Sequence, residues 1–190
     1  MTCFYTQLTM LLCFMALFTS CSFAQDSASA LSEPNKLKQY ATTPVERVAV
    51  KRYLQAVVDY TEQQEKCRAT SRVISPQQLA SLPTQDESQV VQILSYFYFE
   101  TQQICIGEGV QSALATAYTV ARVVYHNNNK ALKLLDDLNY LVFMQEPEQI
   151  EASLAIQAIS PAVIAEFRSS GLFATPFNLL DSVETYEQYK

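Results

Sequence analysis

A short pattern recurs along this chain and restricts its fold more than any other feature. A small hydroxyl residue is followed three places later by an acid or amide, often with proline between, as in Thr43-Pro44-Val45-Glu46, Ser75-Pro76-Gln77-Gln78 and Thr84-Gln85-Asp86-Glu87. This is helix-start grammar, because the hydroxyl and the acid or amide cap each other's backbone donors and proline fits the first helical position. Behind the first start, Val50, Tyr53, Leu54, Val57, Tyr60 or Thr61, Gln64 and Cys67 recur at three or four positions, with Lys51, Arg52, Asp59, Glu62 and Glu65 mostly off that stripe. Nothing alternates at period two for long. The expected fold is therefore all-α, a compact bundle or short helical array of six to seven helices.

Those helices are expected from Thr43 to about Arg72, a short one from Ser75 that Pro83 stops, and a second long one from Thr84 through Cys105. Gly107 and Gly109 mark a break, after which helices run from about Val110 to Tyr125, from a cap at Asn129, from Glu146-Pro147, and from Ser160-Pro161 to a Gly171 terminus. The helical domain is accordingly placed at 43–171, with 172–190 as a C-terminal tail able to dock on it. Residues 25–42 are small and polar without a sustained period and read as a flexible lead-in.

The first 24 residues contain no Lys, Arg, Asp or Glu, and an apolar run from Leu8 ends in Ser22-Phe23-Ala24 before polar sequence. The run is short for a membrane span, and small residues at Ser22 and Ala24 suit a signal peptidase, so 1–24 reads as a cleaved export signal despite lacking a basic start. The segment around Cys21, Leu17-Phe18-Thr19-Ser20-Cys21, resembles the lipobox of bacterial lipoproteins, with Phe18 where leucine is usual. That resemblance implies lipidation at Cys21, which would attach the protein to the membrane; an uncleaved N-terminal anchor is the remaining alternative, disfavoured by the short apolar run. The expected location is export, with the periplasm first and a membrane-attached lipoprotein or a secreted protein as alternatives.

All 19 acidic and all 13 basic residues follow this leader, for a net charge of −6. An acidic body without a basic stripe repels phosphate backbones, so nucleic acid is not an expected partner. Of five cysteines, Cys3, Cys13 and Cys21 lie in the leader, leaving Cys67 and Cys105 to pair in an oxidising compartment or to stay as buried thiols. Pairing constrains geometry. In a tight antiparallel hairpin the two cysteines would be about 25–30 Å apart, whereas a disulfide needs Cα atoms within about 7 Å. Either the chain returns over 73–84 so that the long helices run roughly parallel or cross, or no bridge forms. A faint repeat accompanies them: Tyr60-x-Glu62-x-Gln64-x-x-Cys67 and Tyr98-x-Glu100-x-Gln102-x-x-Cys105.

Candidate chemistry is sparse. His126 is the single histidine, which leaves no parts for a histidine-based triad or a multi-histidine zinc centre, and its Asn127-Asn128-Asn129 neighbours mark a helix end. No metal and no cofactor is expected. The run Tyr96-Phe97-Tyr98-Phe99 places rings around most of a helix, either as a helix packed on two sides or as an exposed binding patch. The leading functional expectation is an exported, non-catalytic helical protein that binds a protein or cell-envelope component through Tyr96, Phe97, Tyr98 and Phe99. One alternative is an envelope hydrolase with Glu62 and Glu100 side by side as an acid/base pair. Another is a carrier of a small apolar ligand, with a cavity lined by Phe97, Phe99, Leu114 and Leu135.

Overall fold

The computed structural model describes residues 32–80, 86–142 and 146–189. The segment 1–24 expected to be an export signal, with Cys21 in it, lies outside them. The described residues are helical throughout, with one isolated bridge between Arg72 and Phe177 as the sole β-type pairing among them. They form α1 (Ser32–Gln39), α2 (Pro44–Ala69), α3 (Pro76–Ala80), α4 (Glu87–Ile106) and α5 (Glu108–Val124). Then come α6 (Asn129–Val142), α7 (Glu146–Ala155) with a following 3-10 turn (Ile156–Ala158), α8 (Pro161–Ser169) and α9 (Leu179–Tyr189). The seven from α2 to α8 correspond to the starts read from the sequence. The two further helices fall in the segments set aside as lead-in and tail.

The caps explain several boundaries. At α2 the Glu46 N–H donates to Thr43 Oγ1 at 3.2 Å and the Thr43 N–H to Glu46 Oε2 at 2.7 Å, the reciprocal pair that the sequence predicts. Ser75 and Gln78 repeat it at α3, at 3.0 and 3.4 Å. Two expected caps move by a residue or two. Asp86 caps α4 by accepting from the Gln89 N–H at 3.1 Å, and Asn128 rather than Asn129 caps α6 by accepting from the Ala131 N–H at 3.1 Å. Either asparagine has the chemistry of a cap, and the last turn of α5 decides which one stands in the capping position. Gly107 breaks α4 from α5 at φ +84°, in the region that side chains other than hydrogen disfavour.

Cys67 and Cys105 form a disulfide with Cα atoms 6.0 Å apart. It joins the C-terminal ends of α2 and α4, and Gln63 Nε2 donates to the Cys105 carbonyl at 3.1 Å beside it. Of the two geometries open to the sequence, the chain adopts the one in which both cysteine-bearing ends come together. A disulfide of this kind persists in oxidising compartments, in accord with export.

Two apolar clusters share α4. Its first half gives Val90, Ile93, Leu94 and Phe97 to one, where they meet Phe167 of α8 and Phe177. Its end gives Ile106 to the other, with Tyr53 of α2, Leu114 of α5 and Leu135 of α6. The segment after Gly171 completes the first cluster: Phe173, Phe177, Val183 and Tyr186 are all buried in it. Its attachment is polar as well, since the Arg72 N–H donates to the Pro176 carbonyl at 3.2 Å, the Asn178 N–H to the Arg72 carbonyl at 2.8 Å, and the Ile74 N–H to Ser182 Oγ at 3.2 Å. The tail is thus docked, as the sequence allowed. The lead-in reading is corrected over 32–39: α1 is a helix, and its Leu37 is fully buried against the second cluster. A single buried leucine in a polar segment gives no period to read, which is why that segment looks unstructured in sequence.

Candidate functional site

The aromatic run is divided among three environments. Phe97 is 1% exposed and stacks on Phe173 with ring centroids 4.3 Å apart. Tyr98 meets Phe177 edge-on at 6.1 Å. Tyr96 lies under a polar clasp: its hydroxyl donates to Glu100 Oε1 at 3.3 Å, and Arg168 Nη2 reaches the same carboxylate oxygen at 2.6 Å and the Tyr96 hydroxyl at 3.4 Å. The Arg168 guanidinium also sits 5.7 Å from the Phe97 ring centre. The four rings therefore do not form one exposed patch. The helix is packed on two sides, because the segment after Gly171 supplies Phe173 and Phe177 to cover it.

Glu62 and Glu100 are treated differently by the fold. Glu100 is joined to Arg168 on α8, while Glu62 is exposed on α2. The side-by-side carboxylates that the hydrolase reading requires are not formed: Glu100 is paired with Arg168 across to α8, and Glu62 faces solvent. The apolar-carrier arrangement is corrected too. Phe97 belongs to the first cluster and Leu114 and Leu135 to the second, each of the three 0–1% exposed, so they line no common cavity. His126 holds a helix end, its Nδ1 2.9 Å from the Val123 carbonyl. Among the described residues, no group of three His, Cys, Asp or Glu side chains is placed to hold a metal ion.

Against the second cluster, whose Tyr60 and Ile106 help to line it, lies a groove of about 440 Å³, within the range of roughly 300–1,000 Å³ common for ligand clefts. Its walls come from α2, α4, α5 and α7. Its polar lining consists of five glutamines, Gln64, Gln102, Gln103, Gln111 and Gln149, together with Ser153. Tyr60 and Phe99 supply rings, Ile106 and Val142 lie deeper, and Ile150 and Leu154 stand at the rim, 54% and 60% exposed. Among the described residues, none of the side chains lining it is charged.

Gln102 is the anomaly. It is 6% exposed, and neither its amide oxygen nor its amide nitrogen has a hydrogen-bond partner. Each such buried orphan costs about 1–3 kcal/mol, so the fold keeps here a group that its own stability disfavours. The Tyr53 and Tyr125 hydroxyls are also buried without a hydrogen bond, yet they sit inside the second cluster away from the groove lining. Burial pushes both phenols up, Tyr125 to about 12. A second, more open depression of about 620 Å³ between α2 and α5 is lined by small residues such as Ala113 and Ala117, and its Asp59 already accepts from Gln55 Nε2 at 2.9 Å.

Sequence reasoning named one groove residue as a binding residue, Phe99, and missed Gln102. The signal was present in the repeat. Gln64 and Gln102 each precede a cysteine by three residues, hence share its helix face, and the bridge between Cys67 and Cys105 brings those faces together. Comparison of the chain with protein-family models, curated proteins and solved structures gives no match.

Proposed function

We propose that this is an exported, non-catalytic binding protein of the periplasm whose site is the glutamine-lined groove between α2, α4, α5 and α7. The observation that carries this reading is Gln102: a side-chain amide buried in a groove with both hydrogen-bonding atoms unused. A bound molecule that pairs those atoms converts a cost of the free protein into affinity. The lining supports binding over catalysis, since glutamine and serine orient a ligand but glutamine neither gives nor takes a proton near neutral pH. Export is supported by the uncharged leader and by the disulfide. Lipidation at Cys21 is the alternative end to that leader and would tether the same domain to the membrane.

Mass spectrometry of the protein recovered from the envelope of its producing cell tests both parts. Under denaturing conditions the expected mass begins at Gln25 and is two hydrogens lighter than the reduced form; added acyl mass at Cys21 would establish the lipoprotein instead. Under native conditions the wild-type protein is expected to carry a non-covalent neutral species that the Gln102→Met protein lacks. The same species on both proteins, or none on either, would refute the groove as the site.

A further inference from the structure

Resting on the groove as the binding site, we infer that its ligand is an uncharged segment of polypeptide bound in extended form, held through its main chain by Gln102. Three observations converge on that class. The first is the lining itself, which is free of charge among the described residues. An ionic ligand entering it would lose hydration without gaining a counter-charge, which costs several kcal/mol, so the occupant is neutral.

The second is the demand of Gln102 itself. A primary amide offers two donor hydrogens and a carbonyl acceptor from two atoms on one side-chain end. In an extended peptide the N–H and C=O of one residue point to the same edge of the chain, so a single glutamine amide can accept from the first and donate to the second. Both amide atoms are closed off from the groove in the free protein, so binding requires the amide to turn outward, chiefly about its terminal torsion, which is broad. Gln64 of α2 and Gln149 of α7 line the same groove and offer amides for further main-chain groups of the segment.

The third is the balance of the walls. Ile106, Val142, Ile150 and Leu154 share the lining with the glutamines, and the last two leave large apolar surface exposed. An extended peptide matches this arrangement, because it presents polar main chain along its edges and side chains in alternate directions. An oligosaccharide does not, since its hydroxyls would be turned against aliphatic side chains and lose their water without replacement.

The test is competitive retention on the immobilised protein recovered from its envelope. Three probes are offered: a pool of N-acetylated, C-amidated hexapeptides containing no Asp, Glu, Lys, Arg or His; the same pool with two acidic residues fixed in each member; and the tetramer of N-acetylglucosamine. Retention of neutral peptides over the acidic pool is expected. Replacing Gln102 with methionine is expected to weaken the best peptide about 10-fold or more, the equivalent of losing about 1.4 kcal/mol or more of paired hydrogen bonding. N-methylation of that peptide's central residues is expected to do the same to the wild-type protein and nothing further to the methionine variant. Peptide affinity indifferent to both changes would overturn the main-chain assignment. Retention of the saccharide alone, lost in the methionine variant, would overturn the peptide class while leaving the groove as a site. No retention of any probe at millimolar concentration would overturn the peptide class, and if the native protein then also carried no bound species, the groove reading would fall with it.

Discussion

Replacing Gln102 with methionine is expected to make the free protein more stable, which is the opposite of what most buried substitutions do. The side chain is 6% exposed, and both amide atoms lack a hydrogen bond. Methionine has nearly the same length and flexibility, so it fills the space without opening a cavity. What changes is the removal of two desolvated polar atoms. At about 1–3 kcal/mol for each unpaired group, and allowing for imperfect packing of the thioether, the net gain is about 1–3 kcal/mol. For a chain of this size each kcal/mol raises Tm by roughly 2–4 °C. Urea unfolding followed by circular dichroism measures it directly: the midpoint rises while the slope m stays constant, because the surface exposed on unfolding hardly changes. Gln64→Met, at a half-buried position on the other wall, is the control and is expected to move stability by no more than about 0.5 kcal/mol. A fall of 1 kcal/mol or more in Gln102→Met would refute the reasoning, since it would mean that the amide holds the helices together. A rise together with loss of ligand is the signature of a residue kept for binding at the expense of stability.

Three further outcomes follow from other parts of the fold. Reducing the Cys67 to Cys105 bridge opens a loop of 38 residues; in the chain-entropy view this lowers stability by about 4 kcal/mol, read as a lower urea midpoint under reducing conditions. Phe173→Ala removes a ring stacked between Phe97 and Phe167 and is expected to cost about 3–5 kcal/mol; hydrogen exchange would show α9 losing protection first, and an unchanged midpoint would contradict the docked tail. Burial holds the folded Tyr125 phenol up at about 12 and pushes Tyr53 in the same direction. Their contribution is fully present below the unfolded phenol value of about 10 and is lost as pH rises toward the folded value, so stability should decline steeply above about pH 10. Tyr125→Phe is expected to flatten that decline, and an unchanged slope in urea titrations between pH 9 and 11 would argue against it.

The residues that made the helices legible are those whose effect is local. Thr43, Pro44 and Glu46 act within one turn, so the start of α2 can be read without knowing anything else about the chain. The same holds for Ser75 with Gln78, and for the three- and four-residue spacing of Val50, Tyr53, Val57 and Tyr60. Where two neighbours could do the same job, as Asn128 and Asn129 could, the sequence misplaces the boundary by a residue. The fate of Tyr96 to Phe99 was not legible, because it depends on Phe173 and Phe177, more than seventy positions later, returning to cover Phe97 and Tyr98. Those later rings carried a hint of their own: Leu179, Val183 and Tyr186 repeat at three and four behind Asn178, whose Oδ1 accepts from the Asp181 N–H at 3.3 Å as a cap.

The sequence by itself determined that this chain is helical, where most of its helices begin, and that two of its five cysteines lie outside the uncharged first 24 residues. These are matters of backbone capping, short-range periodicity and counting. Only the tertiary structure decided that the bridge closes, that Glu100 belongs to Arg168 instead of Glu62, and that the groove beside the bridge is lined by glutamine without charge. Those outcomes depend on which helix faces meet, and a helix face finds its partner through burial shared across the whole chain. Gln102 shows the difference: beside its cysteine in sequence it is one polar residue among many, and only the packing of α2, α5 and α7 around α4 leaves its amide buried and unpaired.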